Sequence, residues 1–330
     1  MRPTKMIFHN RGIALILTLW VTALLTIMVG SFAKMVRTEV KIVSNFKDES
    51  VVYYFARSGI QQAILGLLKQ PKNRESRDQE MQEKEWKFNG KPNIAPFKKG
   101  FAEVRVIDEG GKFDLNKANR DDLVRIFAAY GLVGVERDGI VDSILDWRDA
   151  NNFHRLNGAE DDYYMTLPRP YESKDAPFET VDELLWVKGI THDIFYGEME
   201  NDDEDLAGDP NKLPMPGLED IFTVYTHSVK VNVNTAALPV LISVPGIDKA
   251  SAQKIMELRK DEEFRNMGDI TRTVEGLSSS FQKFISFAPS KWYSIKATGR
   301  LDGSPVKRSL TAVIKINVGT DYKIMYWKDG

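Results

Sequence analysis

The acidic residues between Leu145 and Tyr171 form the segment of this chain with the clearest capacity for chemistry. Calcium takes six to eight oxygen ligands, including backbone carbonyls, so an irregular loop rich in such side chains suits it. The spacing is not that of an EF-hand, because Phe153 stands where that loop needs an oxygen ligand. The residues alone leave open a calcium site and a solvated acidic loop. The oxygen-bearing residues are Asp146, Asp149, Asn151, Asn152, Glu160, Asp161 and Asp162.

No set of side chains predicts catalysis. The chain has no cysteine, and its four histidines lack the H-x-x-x-H spacing of zinc sites. G-x-S-x-G and P-loop motifs are absent from the sequence. The net charge of −2 provides no general attraction to nucleic acid or acidic lipid. A second acidic run, residues 198–205, is typical of a solvated linker, with a second calcium site as the alternative. We therefore expect a protein that is not an enzyme.

An uncharged run of 21 residues, Ile13 to Ala33, follows a basic N-terminus. At about 1.5 Å per residue, a helix of this length spans about 30 Å of hydrocarbon. The preceding Arg2, Lys5 and Arg11 predict a cytoplasmic N-terminus and an exported remainder. Hydropathy alone fits a single-pass anchor or a secretory signal cleaved after Ala33. However, apolar residues continue at helical spacing with no proline before Pro71, which predicts one long helix over 13–69.

The remaining sequence predicts an α+β fold, in which the long N-terminal helix packs on an antiparallel sheet with a large, mainly helical insertion. A strand is predicted at 101–107, helices at 119–149 and from Thr180, and a β-rich segment at 220–234. Three alternating runs near the C-terminus predict an antiparallel meander. The predicted organisation is a stem to residue 69, a linker and first strands at 70–118, an insertion at 119–220 and a β-rich head at 221–330.

The segment "VPGIDKASAQKIMELR" has the pattern of a helix-hairpin-helix, a motif that often binds DNA phosphates. Asp248 replaces the second glycine of the usual P-G-I-G, and a carboxylate repels phosphate. Lys249, Lys254, Arg259 and Lys260 would compensate only in part. We expect a packing role, with DNA binding as the alternative. The similar strand-to-helix entries around Asn116 and Asn234 indicate two related units in which asparagine bonds the local backbone.

The N-terminus resembles the processing site of type IV prepilins and type II secretion pseudopilins, since "RG" is followed by "IALILTLWVTALL". The resemblance implies peptidase cleavage after Gly12, methylation of Ile13 and retention of the apolar segment as the core of a filament. Leu17 stands at the fifth mature position, where most of these subunits carry glutamate. The K-type minor pseudopilins of type II secretion are known for lacking that glutamate. A minor pilin of type IV pili, the neighbouring possibility, would normally keep it.

The resemblance to the K-type family extends over nearly the whole chain, through "DWRD", "GAEDDYY", "NVNTA" and "IMYWK". It implies an inner-membrane, single-pass protein with a periplasmic head, at the tip of a pseudopilus whose assembly it initiates and regulates for export of folded proteins. The implied partners are the I- and J-type minor pseudopilins, the major pseudopilin and the prepilin peptidase, not nucleic acid. A membrane-anchored DNA-uptake protein is the alternative function. The family also implies calcium in the insertion. We expect its ligands among Asp149, Glu160 and Asp161, and next among Asn151 and Asp162, without a fixed set.

Overall fold

A single helix of 59 residues, α1 (Arg11–Lys69), begins the described part of the chain. The computed structural model describes residues 11–69, 86, 88, 90–197, 216–274, 277, 279–317 and 321–330. The predicted leader up to residue 10 and the acidic run 198–205 lie outside these ranges, as does most of the predicted linker. By length and composition, the first part of α1 is able to cross a membrane. The prediction of one helix through span and stem is confirmed.

Five antiparallel strands form the main sheet, in the order β1-β2-β7-β8-β9. The three C-terminal strands are the predicted meander, and the strand predicted at 101–107 is the central part of β2. The strands are β1 (Pro92–Phe97), β2 (Gly100–Asp108), β7 (Trp292–Leu301), β8 (Lys307–Ile316) and β9 (Tyr322–Asp329).

The C-terminal half of α1 packs on one face of this sheet through small side chains. Buried residues recur on the helix every three or four positions, as a helix with one buried face requires. Alanines on the sheet and glycines on both elements bring the two backbones close together. The contact residues are Val52, Ala56, Gly59, Ile60, Ala63 and Ile64 on α1, opposite Ala102, Ala297, Gly299 and Ala312.

The insertion between β2 and β7 has its own hydrophobic core. That core runs from Phe113 to Ile285 and includes the predicted helix-hairpin-helix. The domain limit predicted at residue 220 therefore passes through a continuous core. Its helices are α2 (Arg120–Ala129), α3 (Gly134–Arg148), α4 (Asp161–Tyr164), α5 (His192–Tyr196), α6 (Leu218–Ile221), α7 (Leu238–Ser243), α8 (Lys249–Leu258) and α9 (Met267–Thr273).

Short parallel strand pairs replace the β-rich segment predicted at 220–234, and that prediction is wrong. The strands are β3 (Phe113–Asp114) with β4 (Phe222–Thr223), and β5 (Val231–Asn232) with β6 (Ile285–Ser286). The chain turns between β4 and β5 because Asp114 accepts hydrogen bonds from the His227 N–H (2.6 Å) and the Thr226 hydroxyl (3.3 Å). His227 there has a φ of 51°, which is incompatible with a strand. Likewise, the helix predicted from Thr180 is a 3-10 helix, Val181–Trp186.

Two equivalent units build the insertion. Asn116 accepts from the Phe178 N–H (2.8 Å) and donates to the Phe178 carbonyl (2.9 Å). Asn234 makes the same pair of bonds with Phe264, at 2.9 Å each. Both asparagines thus fasten a distant strand-like segment, and the predicted bond to the local backbone is not their main role.

Each of the two units also contains an arginine that donates to two backbone carbonyls, an arrangement called the arginine clamp below. Arg148, at the end of α3, donates to the carbonyls of Leu115 and Ala118. Arg259, after α8, donates to the carbonyls of Val233 (2.8 Å) and Ala236 (2.7 Å). In each unit, the accepting carbonyls belong to the residue before the asparagine and to the second residue after it. The first unit, α2 to α3, is therefore a second helix-hairpin-helix.

Asp108, at the end of β2, joins the sheet to the insertion. Its buried carboxylate accepts hydrogen bonds from the backbone of Gly110 (2.9 Å) and Ser290 (3.0 Å) and from the side chains of Asn232 (2.8 Å) and Thr235 (3.2 Å). This one carboxylate thereby bonds to both segments in which the chain passes between the sheet and the insertion.

Candidate functional site

The acidic loop of residues 149–160 folds around the buried carboxylate of Asp146, on α3. Asp146 accepts hydrogen bonds from the N–H groups of Arg155 (3.0 Å) and Ala159 (3.0 Å). Residue 158 must be glycine, because a Cβ there would overlap the Asp146 carboxylate. Burial raises the pKa of Asp146, and its bonds to Arg155 oppose that shift. These contacts give the loop one defined path along α3.

Arg155 forms ion pairs with two carboxylates, one on α3 and one in the loop. Its Nη1 lies 2.5 Å from Asp146 Oδ1 and 2.7 Å from Asp149 Oδ2. Asp149 also accepts hydrogen bonds from the backbone and side-chain nitrogens of Asn151. The charge of Asp149, a predicted calcium ligand, is therefore already compensated within the protein.

Glu160 is the unusual residue of this loop. Its side chain is buried, with 1% of the residue exposed, and neither carboxylate oxygen has a hydrogen-bond partner. Burial raises the pKa of Glu160 to about 7, the nearby Ser173 hydroxyl opposes this shift, and the charges of Asp146 and Asp175 act in the same direction as burial. The neighbouring Ser173 hydroxyl donates to Asp161 (2.8 Å). A buried carboxylate without a partner is energetically costly unless a cation compensates it.

Asp175 supplies a second carboxylate of this kind. Its Oδ1 is buried without a hydrogen-bond partner, and its backbone has a φ of 50°, a conformation uncommon outside glycine. Its charge contributes to the raised pKa of Glu160. Sequence reasoning missed Asp175, since it lies in "ESKDAPF", outside the acidic motif. Only the fold brings it to Glu160.

The five predicted ligands are not gathered into one site. Asp161 is held by the N–H (2.7 Å) and hydroxyl (2.8 Å) of Ser173, and Asn151 is exposed beside Asp149. Asp162 is exposed and accepts only from the N–H of Tyr163 (2.9 Å). Within the described ranges, no group of three or more Asp, Glu or His side chains is arranged to hold a metal ion. The unpartnered oxygens of Glu160 and Asp175 are hard donors that fit calcium, which would need backbone carbonyls or water besides.

Packed aromatic rings support the loop from below. Trp147 meets Tyr164 edge to face at 5.3 Å, and Tyr171 stacks on Tyr164 at 5.2 Å. Lys188 lies over the Tyr163 ring at 4.9 Å and donates to the Gly158 carbonyl (3.0 Å). The "DWRD" and "GAEDDYY" motifs thus belong to one local structure. Their aromatic side chains pack against each other, and their acidic residues lie in or beside the loop.

The helix-hairpin-helix between α7 and α8 is poorly suited to bind a phosphate. Asp248 caps α8 by accepting from the Ser251 N–H (2.7 Å), which lowers the pKa of Asp248 and keeps a negative charge at the hairpin. Arg259 is committed to the clamp, where burial lowers its pKa to about 10. The geometry therefore favours packing over DNA binding.

The residues of the predicted processing site lie at the start of α1. The helix begins at Arg11, so Gly12 and Ile13 stand in its first turn. Leu17 follows within the apolar run, with 64% of the residue exposed. No carboxylate is present between Ile13 and Ala33.

Comparison with known proteins adds independent findings. The family profile described as type II secretion system, protein K, matches residues 106–196, and a helix-hairpin-helix profile matches residues 226–283. The type II secretion system protein K of Pseudomonas aeruginosa is 27% identical over 283 residues, covering 82% of this chain and 78% of that protein. The protein K of Pectobacterium carotovorum is 41% identical over 56 residues, covering 17% of each chain.

A solved structure has the same fold. A chain from the GspK-GspI-GspJ complex of the enterotoxigenic Escherichia coli type II secretion system matches with a TM-score of 0.61 at 12% identity. The match covers 89% of this chain and 99% of that one. It confirms the α+β pseudopilin fold with its long N-terminal helix and additional helices. With the profile match and the relative from P. aeruginosa, it shows that this chain is similar to the protein K family of type II secretion systems.

Proposed function

We propose that this protein is the minor pseudopilin at the tip of a type II secretion pseudopilus, where it initiates and regulates assembly for the export of folded proteins. The observation that carries the proposal is the fold match over 89% of the chain to a protein solved in complex with GspI and GspJ. The corresponding I- and J-type subunits would be the direct partners here, with the major pseudopilin below them. The role is structural, without catalysis.

Two features of the chain agree with the tip position. The insertion adds a second core above the sheet, and a body of that size would obstruct another subunit stacking on it. Leu17 offers no carboxylate to the N-terminal amine of a neighbouring subunit. A buried charge in hydrocarbon needs a partner, so a subunit with no neighbour above it has no use for a glutamate there.

Co-purification tests the proposed assembly. When the full chain is co-expressed in detergent-extractable form with the I- and J-type subunits of its own host, we expect a complex with one copy of each, measured by native mass. Immunogold labelling of assembled pseudopili should mark one end only. Labels spread along the filament, or no complex with either subunit, would contradict the tip assignment.

Processing by the prepilin peptidase gives a second prediction. We expect the mature protein from its host to lack residues 1–12 and to carry a methyl group on Ile13, as measured by intact mass. Gly12→Asp should leave the leader attached. Gly30→Ala is the matched control, because a Cβ at position 30 would have no atom of the described residues within 4 Å. A mature protein that starts at Lys34 would mean a secretory signal and not a pseudopilin leader.

Cleavage on the cytoplasmic face also fixes the proposed topology. The leader and Arg11 would stay in the cytoplasm, α1 would cross the inner membrane, and the sheet and insertion would lie in the periplasm. The basic residues Arg2, Lys5 and Arg11 before the span support this orientation.

We further propose that the loop beside α3 binds one calcium ion through Glu160 and Asp175. Calcium would supply the positive charge that their buried, unpartnered oxygens lack. Arg155 forms ion pairs with Asp146 and Asp149 nearby, and Ser173 holds Asp161 in place. The ion would thereby stabilise the path of the loop and of the segment around Asp175.

A further inference from the structure

Three cations form a stripe on α1 directly after the uncharged run. Lys34, Arg37 and Lys41 are exposed and follow Ala33, the last residue of that run. Positions i, i+3 and i+7 of a helix lie on one face, within about 60° of each other. The valines at 36, 40 and 43 occupy the opposite face and are exposed too. The segment is thus amphipathic, with a basic face and an apolar face.

The stripe has no compensating negative charge within the described chain. Arg37 is three residues from Lys34 and four from Lys41, and like charges at these spacings destabilise a helix. One acidic residue, Glu39, lies within the length of the stripe. The residues three and four positions before and after it, which are its neighbours on the helix surface, are all apolar: Met35, Val36, Ile42 and Val43.

The next acidic residues along α1 already contact polar side chains in the C-terminal part of the chain. Asp48 accepts a hydrogen bond from the Ser304 hydroxyl (2.8 Å), and Glu49 pairs with Arg308 (2.6 Å). No ion pair or hydrogen bond joins the side chains of Lys34, Arg37 or Lys41 to any described residue. Three adjacent positive charges are therefore available to bind an anion from outside the described chain.

The position of the stripe indicates which anion. Lys41 lies about 12 Å along the helix axis from Ala33, at about 1.5 Å per residue. Side chains on a helix tilt toward its N-terminus, here toward the membrane, and long basic side chains extend their charge to the interface. The headgroup layer adds about 5–7 Å to each side of the hydrocarbon. All three charges are within reach of lipid phosphates.

We propose that Lys34, Arg37 and Lys41 bind the headgroups of anionic phospholipids where α1 leaves the membrane. The proposal rests on the membrane-spanning role of α1 given above. It makes the stripe a lipid-binding surface that turns the valine face of α1 away from the bound headgroups before assembly. A neighbouring subunit's carboxylates are the competing partner.

Lipid retention tests this surface in the full chain. The protein is reconstituted in nanodiscs of equal phosphatidylglycerol and phosphatidylcholine, released in mild detergent, and the lipids that remain bound are counted by native mass spectrometry. We expect phosphatidylglycerol to be enriched over phosphatidylcholine. The triple variant Lys34→Gln, Arg37→Gln, Lys41→Gln should reduce that enrichment by up to about a hundredfold, since each of the three cations near an anionic surface contributes about fivefold.

The control removes the same charge elsewhere. Lys47, Lys98 and Lys99 are exposed cations farther along the chain, and their triple change to glutamine should preserve the enrichment. Equal retention of both lipids by the unmodified chain would overturn the proposal, as would equal losses in both variants. A stripe variant that keeps its lipid preference but no longer co-purifies with the I- and J-type subunits would assign the stripe to a protein partner. Because lipid counting needs no assembly, a failure here leaves the proposed tip function independently testable.

Discussion

Replacing Gly299 with alanine is expected to loosen α1 from the sheet and to destabilise that packing by about 2–4 kcal/mol. Gly299 lies on β7, directly beneath α1. A Cβ at this position would overlap the carbonyl oxygen of Val52 and lie 3.0 Å from the N atom of Ala56. Both obstructing groups are backbone and cannot rotate away, so the helix would have to move off the sheet.

Hydrogen exchange locates the effect. Amides of β7 and of α1 beyond residue 47 should exchange faster in Gly299→Ala, while those of the insertion keep their protection, because the two cores are separate. Gly139→Ala makes the same chemical change within α3, where the Cβ would meet only the Asn157 carbonyl at 3.7 Å. That control should be neutral or slightly stabilising, since alanine favours a helix interior. Unchanged exchange in the Gly299 variant would mean that close helix–sheet contact is not needed.

Local patterns were sufficient to predict much of this fold. The three- and four-residue spacing of apolar side chains along α1 predicts its length, and Asp302-Gly303 marks the turn between β7 and β8. Both features are determined by residues that lie close together in the sequence, so a single sequence is enough to predict them. The "DWRD" and "GAEDDYY" motifs also locate the loop correctly.

Contacts between distant segments could not be predicted in this way. Asn116 and Asn234 bond to Phe178 and Phe264, at separations of 62 and 30 residues. The paired arginine clamps show that the insertion contains two helix-hairpin-helix units, although only the second has a recognisable hairpin sequence. The internal partners of the acidic residues could not be predicted for the same reason: acidity is visible in sequence, but whether Arg155 or Ser173 already contacts a carboxylate is not.

Calcium should stabilise the insertion measurably. At about a hundred times its dissociation constant, an ion that binds only the folded state contributes about 2.7 kcal/mol. For a domain of this size, that corresponds to a rise of about 5–10 °C in unfolding temperature. The measurement is thermal unfolding of the full chain in detergent, with calcium added after chelation and tryptophan fluorescence as the probe, since Trp147 lies in the aromatic layer beneath the loop.

Variants at the two unpartnered carboxylates separate a calcium site from a merely acidic loop. Glu160→Gln and Asp175→Asn should each abolish the calcium-dependent rise. Without calcium, Glu160→Gln should unfold at the same or a higher temperature than the unmodified chain, because it removes a buried charge that has no partner. Asp162→Asn is the matched control, since Asp162 is exposed, and it should respond to calcium in full. If Glu160→Gln retains the full response, the ion binds elsewhere. If the unmodified chain shows none, these two carboxylates are held without calcium, and with its pKa raised to about 7 Glu160 is then partly protonated at neutral pH in the folded protein.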